Sequence, residues 1–237
     1  MKLGIFTDSH YCGAEVLCRT RRPSLSLSKI REAMEAFQVA KVDACICLGD
    51  MTDHARTDTK NDTNVYYREA IDVIRSYSLP FYFVPGNHDY LMLTGEELFA
   101  DGVQNPPYAI SLGGYRLIFL DANFRSCGRR FDIAGEMWDD SNLPREQCEF
   151  LKKELSDSSE ECIIFVHENL DPFVEEHHII KNAEEIRRII QESGKVKLVL
   201  QGHYHPGAEH IIDGVPYVTL PAMCEGEENS YRILMLP

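Results

Sequence analysis

Short apolar runs alternate along the chain with stretches in which apolar residues recur every three or four positions. That is the pattern of strands exchanging with amphipathic helices. LGIFT, DACICLG and FYFVP read as strands. Between them, Leu27, Ile30, Met34 and Phe37 predict a helix over residues 26 to 40, and Tyr66, Ala70, Val73 and Tyr77 predict a second helix capped by Asp62 or Thr63. YAISLGGYRLIFLDA carries two alternating runs about Gly113-Gly114, a hairpin signature. LPREQCEFLKKEL predicts a helix with Pro144 at an early position, CIIFVH a strand, and Ala183, Ile186, Ile189 and Ile190 a helix stopped near Gly194. KLVLQGH is a further strand, HIIDGVPYVTLPA a hairpin turning at Asp213-Gly214, and YRILMLP a closing strand. The order is that of an α/β protein. Hairpins after each series of strand–helix units predict two mixed sheets packed face to face. With no repeat or linker composition, residues 1–237 read as a single domain, long enough to bury most of its apolar surface.

Five of these strands end in the same way. LGIFT runs into Asp8-Ser9-His10, ACICLG into Asp50-Met51-Thr52-Asp53, FYFVPG into Asn87-His88-Asp89, CIIFV into His167, and KLVLQG into His203-Tyr204-His205. Ligands of open α/β sheets bind beyond the carboxyl ends of the strands, so Asp8, His10, Asp50, Asn87, His167, His203 and His205 are expected to converge. Each motif alone is ordinary turn or cap chemistry; its recurrence at five strand ends is what carries weight. Crowding three carboxylates or amides and four imidazoles without a counter-charge is costly, and metal ions remove that cost. The set is too large for one zinc and suits two divalent ions sharing a carboxylate. Oxygen and imidazole donors without a thiolate favour Mn, Fe or Zn.

Charge narrows the partners. Against 24 basic residues stand 38 acidic ones, a formal net charge of -14, which disfavours nucleic acid but not a small anion at a locally positive site. No apolar stretch is long enough to span a bilayer, and the N-terminal MKLGIFTDSH reads as a first strand instead of an export signal. The expected location is therefore the cytoplasm, and the eight cysteines are expected to be free thiols.

Taken together, Asp8-x-His10, Gly49-Asp50-x-x-Asp53, Gly86-Asn87-His88-Asp89, His167 and Gly202-His203-x-His205 closely resemble the motifs of the calcineurin-like metallophosphoesterases, in order and over nearly the whole chain. The resemblance implies a four-layer α/β/β/α sandwich with two mixed β-sheets and a dinuclear metal centre. It gives the first metal Asp8, His10, Asp50 and His205, and the second Asp50, Asn87, His167 and His203, with Asp50 bridging. It makes His88 the catalytic histidine and Asp53 the group that orients it. His167 departs from the family pattern, with Val166 before it and Glu168-Asn169 after it. His177, His178, His54 and His210 are rival donors, and His167 is preferred because it alone ends a buried strand.

The implied function is hydrolysis of small or nucleotide phosphoesters by a hydroxide held between the ions, with a phosphodiesterase first. A phosphomonoesterase and a nucleotide pyrophosphatase are alternatives. A non-catalytic metal-binding scaffold is the alternative of another class, disfavoured by the presence of His88 and all seven donors. Asp89 is expected to brace its loop. Arg19, Arg21 and Arg22, like Arg125, Arg129 and Arg130, read as solvated loop charges that face an anion only if folding turns them inward. Tyr11, Tyr90 and Tyr204 adjoin ligand motifs and are candidates to stack on a base.

Overall fold

Successive residues of the central strands face opposite sides, and that alternation sets the layers. In β1 (Lys2–Phe6) and β2 (Ala44–Cys47), Leu3, Ile5, Ala44 and Ile46 face a central core, while Phe6, Cys45 and Cys47 face an outer one. In β5 (Tyr115–Phe119), β6 (Glu161–Phe165) and β7 (Val196–Gln201), Leu117, Phe119, Ile163, Phe165, Leu198 and Leu200 meet that same central core from the other side. Ile118, Cys162, Ile164 and Val199 turn away into a third cluster. Three apolar interfaces mean four layers. The computed structural model describes residues 1–131 and 138–237.

The first sheet runs β10-β1-β2-β3, with β3 at Phe81–Phe83 and β10 at Arg232–Met235. Its three leading strands are parallel, and β10 lies antiparallel against β1. The second sheet runs β4-β5-β6-β7-β9-β8, where β4 (Tyr108–Leu112) and β8 (Ala208–Ile212) are antiparallel edges around a parallel centre that includes β9 (Val215–Thr219). Helices α1 (Pro23–Ala40) and α2 (Lys60–Arg75) cover the first sheet. Helices α5 (Arg145–Asp157) and α6 (Ala183–Ser193) cover the second, and two one-turn helices, α3 (Asp89–Met92) and α4 (Gly95–Leu98), follow β3. The α/β class, the two mixed sheets and both hairpins are as the pattern predicts.

Helix starts differ from the sequence reading. Pro23, whose fixed φ suits a first helical position, begins α1 three residues before the predicted start at 26. The cap of α2 is Thr59, not Asp62 or Thr63. Its side chain accepts from the Asp62 N–H while the Asp62 carboxylate accepts from the Thr59 N–H, a reciprocal capping box. All eight cysteines are free, six of them buried. No helix of the described residues is long and apolar enough to cross a membrane.

Phe37 of α1 lies directly over Gly4 of β1, where a Cβ would come within 2.4 Å of the ring. Gly4→Ala is therefore expected to overpack this interface. The cost is about 1–3 kcal/mol, and at about 2–4 °C per kcal/mol for a chain of this size the melting midpoint falls by several degrees. Thermal denaturation checks this, and an unchanged midpoint would contradict the packing.

Candidate metal centre

The loops leaving β1, β2 and β7 turn sharply. Asp8 (φ 51°), His10 (φ 46°), Asp50 (φ 49°) and His203 (φ 68°) all occupy the left-handed region. Each non-glycine residue held there costs on the order of 1 kcal/mol or more, so the surroundings must impose it. Backbone bonds between the loops do so: Asp8 N–H to Gly49 O (2.9 Å), His10 N–H to Asp50 O (2.9 Å), Gly202 N–H to His167 O (3.0 Å) and Cys224 N–H to Asp8 O (3.0 Å). Gly86 allows the third loop to close in, since a Cβ there would lie 2.2 Å from Asp50 Oδ1.

Six of the expected donors, Asp8, His10, Asp50, His167, His203 and His205, lie close together here, and Asn87 lines the same cavity as Asp50, His203 and His205. Asp8, His10 and Asp50 each offer a ligand atom within one small space, and Asp50, His167 and His203 do so in a second. Asp50 belongs to both. Its Oδ2 lies 3.5 Å from His10 Nε2 and 3.3 Å from His167 Nε2. His205 Nε2 sits 3.5 Å from Asp8 Oδ1 and 3.2 Å from His10 Nε2. Three of the imidazoles have their other nitrogen engaged: His10 Nδ1 donates to Asp53 Oδ2 (3.1 Å), His167 Nδ1 to the Leu48 carbonyl (2.7 Å) and His205 Nδ1 to Glu225 Oε1 (2.6 Å). This aims the Nε2 atoms inward, as metal-binding histidines are held by a bond from their other ring nitrogen. Asp8 Oδ1, Asn87 Oδ1, His167 Nε2 and His203 Nε2 are buried with no hydrogen-bond partner among the described residues. Orphaned donors of this kind, facing one another, fit divalent cations.

Electrostatics say the same. Burial raises the Asp8 and Asp50 carboxyls, but the charge on His167 and the other imidazoles outweighs it and holds both low. Burial lowers His167, and Asp50 and Asp8 overcome that and raise it. The pocket is built to keep carboxylates ionised against positive charge.

His88 stands beside this cluster. Its backbone N–H donates to Asp50 Oδ1 (2.7 Å), and its ring Nδ1 donates to Asp53 Oδ1 (3.0 Å). Asp53 Oδ2 also accepts from Arg21 Nη1 (3.2 Å). Burial raises Asp53, but the charge on His88 and bonds from His10 and His88 hold it well below the ordinary carboxylate range. Asp89 braces the third loop, accepting from Thr52 N–H (3.1 Å) and Gly86 N–H (2.9 Å).

Several expectations change. Arg21 is not a solvated loop charge: its guanidinium is largely buried, on Asp53, and lines a cavity of about 420 Å³ above the cluster. Arg130 is likewise engaged, by Asp121 and Tyr90. Tyr90 is buried with its hydroxyl on Asp121 (3.0 Å), and Tyr11 donates to Glu69 (2.7 Å), so of the three tyrosines only Tyr204 lines the cavity. Of the rival histidines, His210 donates to Asp171 (2.6 Å), His177 faces Glu175 (3.2 Å) and His54 lies 3.6 Å from Asp53. His178 reaches the cavity wall against His203 without joining either donor group. Glu225, Asp121 and Trp138 were missed. Asp121 carried the same signal as the other five, an apolar strand ending in Asp-Ala-Asn, but within the predicted hairpin.

Residues 1–207 match the calcineurin-like phosphoesterase family. The chain belongs to that family. This phosphoesterase is 24% identical to a protein of Fibrobacter succinogenes named as a probable cyclic nucleotide phosphodiesterase, over 97% of this chain and 82% of that one. It is 21% identical to a 3',5'-cyclic adenosine monophosphate phosphodiesterase of Haemophilus influenzae, over 94% and 77%. Its fold is similar to that of a dimetal phosphatase from Danio rerio, with a TM-score of 0.85 at 19% identity, covering 98% of this chain and 91% of that one. Family membership makes the chain a hydrolase acting on phosphoester bonds.

Among the described residues, neither oxygen of the buried Glu168, next to His167, has a hydrogen-bond partner. Burial pushes its carboxyl up to about 8, against the lowering charge on His167. Between 4.5 and about 8 the unfolded chain then binds fewer protons at this site than the folded chain, so its contribution to stability falls as pH rises. Glu168→Gln is expected to stabilise the metal-free protein, by a margin that grows from mildly acidic pH towards pH 8. Chemical denaturation across that range checks it, and a margin constant with pH would contradict it.

Proposed function

We propose that this phosphoesterase is a two-metal phosphodiesterase of small, nucleotide-type esters, working as one domain over residues 1–237. The observation that carries the reading is Asp50, common to two groups of donors and surrounded by buried, partnerless ligand atoms. Asp8, His10, Asp50 and His205 would hold one ion, and Asp50, Asn87, His167 and His203 the other. The oxygen and imidazole donors favour Mn, Fe or Zn. Two such ions supply Lewis acidity and a nucleophile from water at neutral pH. The names of the bacterial relatives favour a diester, cyclic nucleotides among them.

The remaining chemistry belongs to the chain's own side chains. With Nδ1 on Asp53, His88 has Nε2 left to face the ester, placed to give a proton to the leaving oxygen. Asp53 fixes the ring and itself stays ionised. Arg21 holds Asp53 from the other side and turns positive charge towards an anionic substrate in a protein of net charge -14. A non-catalytic scaffold would require neither His88 nor the carboxylate that orients it.

His88→Ala is expected to lower kcat about 10²–10⁴-fold, the usual contribution of a positioned acid, with bound metal unchanged. Asp50→Ala should lose metal and activity together. Metal analysis beside a panel of mono-esters, di-esters and pyrophosphates checks both. Near-wild-type turnover of an unactivated diester by His88→Ala, or inactivity of the metal-loaded wild type on every panel member, sinks the reading. Arg21→Ala, which removes a charged hydrogen bond, is expected to lower kcat/KM about 10–100-fold with metal retained. Arg21→Lys should recover only part of that, because an ammonium does not reproduce the guanidinium fork. Steady-state kinetics on the preferred ester decide this.

A further inference from the structure

The cavity above the metal centre has two chemically different ends. Arg21 stands at the end of His10, 3.4 Å from its Nδ1. At the end of His203 stand rings. The centroid of His178 lies 5.0 Å from that of His203, and Trp138 lies 5.5 Å from His203 and 5.6 Å from His178. Tyr204 continues the series 5.2 Å from His178. Trp138, His178 and Tyr204 all line the cavity. Trp138 is the chain's one tryptophan and is 38% exposed. An indole left in contact with solvent beside a catalytic cavity differs from one that merely fills a core.

We propose that this ring wall is the subsite for the organic group of the substrate and takes a nucleobase, so that the enzyme selects nucleotide esters over aliphatic phosphodiesters. The inference rests on the phosphodiesterase reading above. A phosphoryl group placed over Asp50 has Arg21 on one side and the rings on the other. A nucleoside attached to that phosphorus meets the rings as it leaves the His203 end. Stacking on such rings is tolerant of base identity, so the wall selects a planar group and not a particular base. An aliphatic alcohol finds no equivalent contact there. Glu175, on the same rim, has its carboxylate on His177 (3.2 Å), which moderates its repulsion of the substrate.

Two measurements test this. The first compares kcat/KM for 3',5'-cyclic adenosine monophosphate and for glycerophosphocholine in the metal-loaded enzyme. The wild type should prefer the nucleotide, and Trp138→Ala should lower that preference ratio about 10-fold, mainly through KM, with Trp138→Phe restoring most of it. A ratio unchanged in Trp138→Ala, or a wild type with no preference, overturns the subsite. The second needs no turnover. Because Trp138 is the only tryptophan, adenosine monophosphate should quench the intrinsic fluorescence saturably and glycerol phosphate should not. Equal quenching by both, or none by either, overturns the subsite even if diesters are hydrolysed. Conversely, nucleotide-selective quenching in a protein that hydrolyses nothing keeps the subsite and removes the phosphodiesterase reading.

Discussion

Asp50 is one carboxylate with two neighbourhoods. Oδ1 is tied to the His88 amide, while Oδ2 faces imidazole nitrogens from two other loops. A buried anion in that position is tolerable only if positive charge stands on both sides of it. Much of the surrounding structure answers that demand. The second nitrogens of His10, His167 and His205 are fixed by Asp53, Leu48 and Glu225, so that their first nitrogens cannot turn away. The Thr7 hydroxyl and the His203 amide occupy Asp8 Oδ2, leaving Oδ1 for the centre. Asp53 serves two purposes at once, orienting a donor histidine with one oxygen and His88 with the other.

Precision of this kind needs a stiff frame. The left-handed residues at Asp8, His10, Asp50 and His203 sit in loops tied to one another by hydrogen bonds. A change in one strand-end loop is therefore transmitted to its neighbours. The glycines serve the same end. Gly202, like Gly86, stands where a side chain would press on the donors: a Cβ would meet Thr7 Oγ1 at 2.2 Å and Asp8 Oδ2 at 2.7 Å. Close approach of backbone to ligand is a use of glycine that no other residue can fill.

The sheets, and the strand-end residues that the fold gathers, were legible in the sequence because both are local signals. Each strand is a short apolar run, and each donor follows its strand within a few residues. Arg21 was not legible, since its burial depends on backbone pairing with Leu17 and Glu225, one of which lies at the far end of the chain. Glu225 itself sits in a polar loop with nothing in its spacing to mark it as the partner of His205. Trp138 is isolated in the sequence and gains meaning only from the rings of His178 and His203 around it. The cap of α2 was misplaced because Asp62 is a good cap in isolation, while the reciprocal pair with Thr59 is better satisfied. Apart from that local cap, what failed to show was a contact between segments distant in sequence.

That long reach has a bearing on how the protein comes into being. Its donors extend from Asp8 to His205, their braces to Glu225, and β10, the last strand, pairs with β1, the first. A chain emerging N-terminus first from a ribosome carries Asp8, His10 and Asp50 long before the residues that complete either group exist. The donor set is therefore complete only once the segment carrying His203, His205 and Glu225 has folded back onto the N-terminal loops. A fragment that stops before His203 would lack an imidazole from the group around Asp50 and His167, and His205 from beside Asp8 and His10.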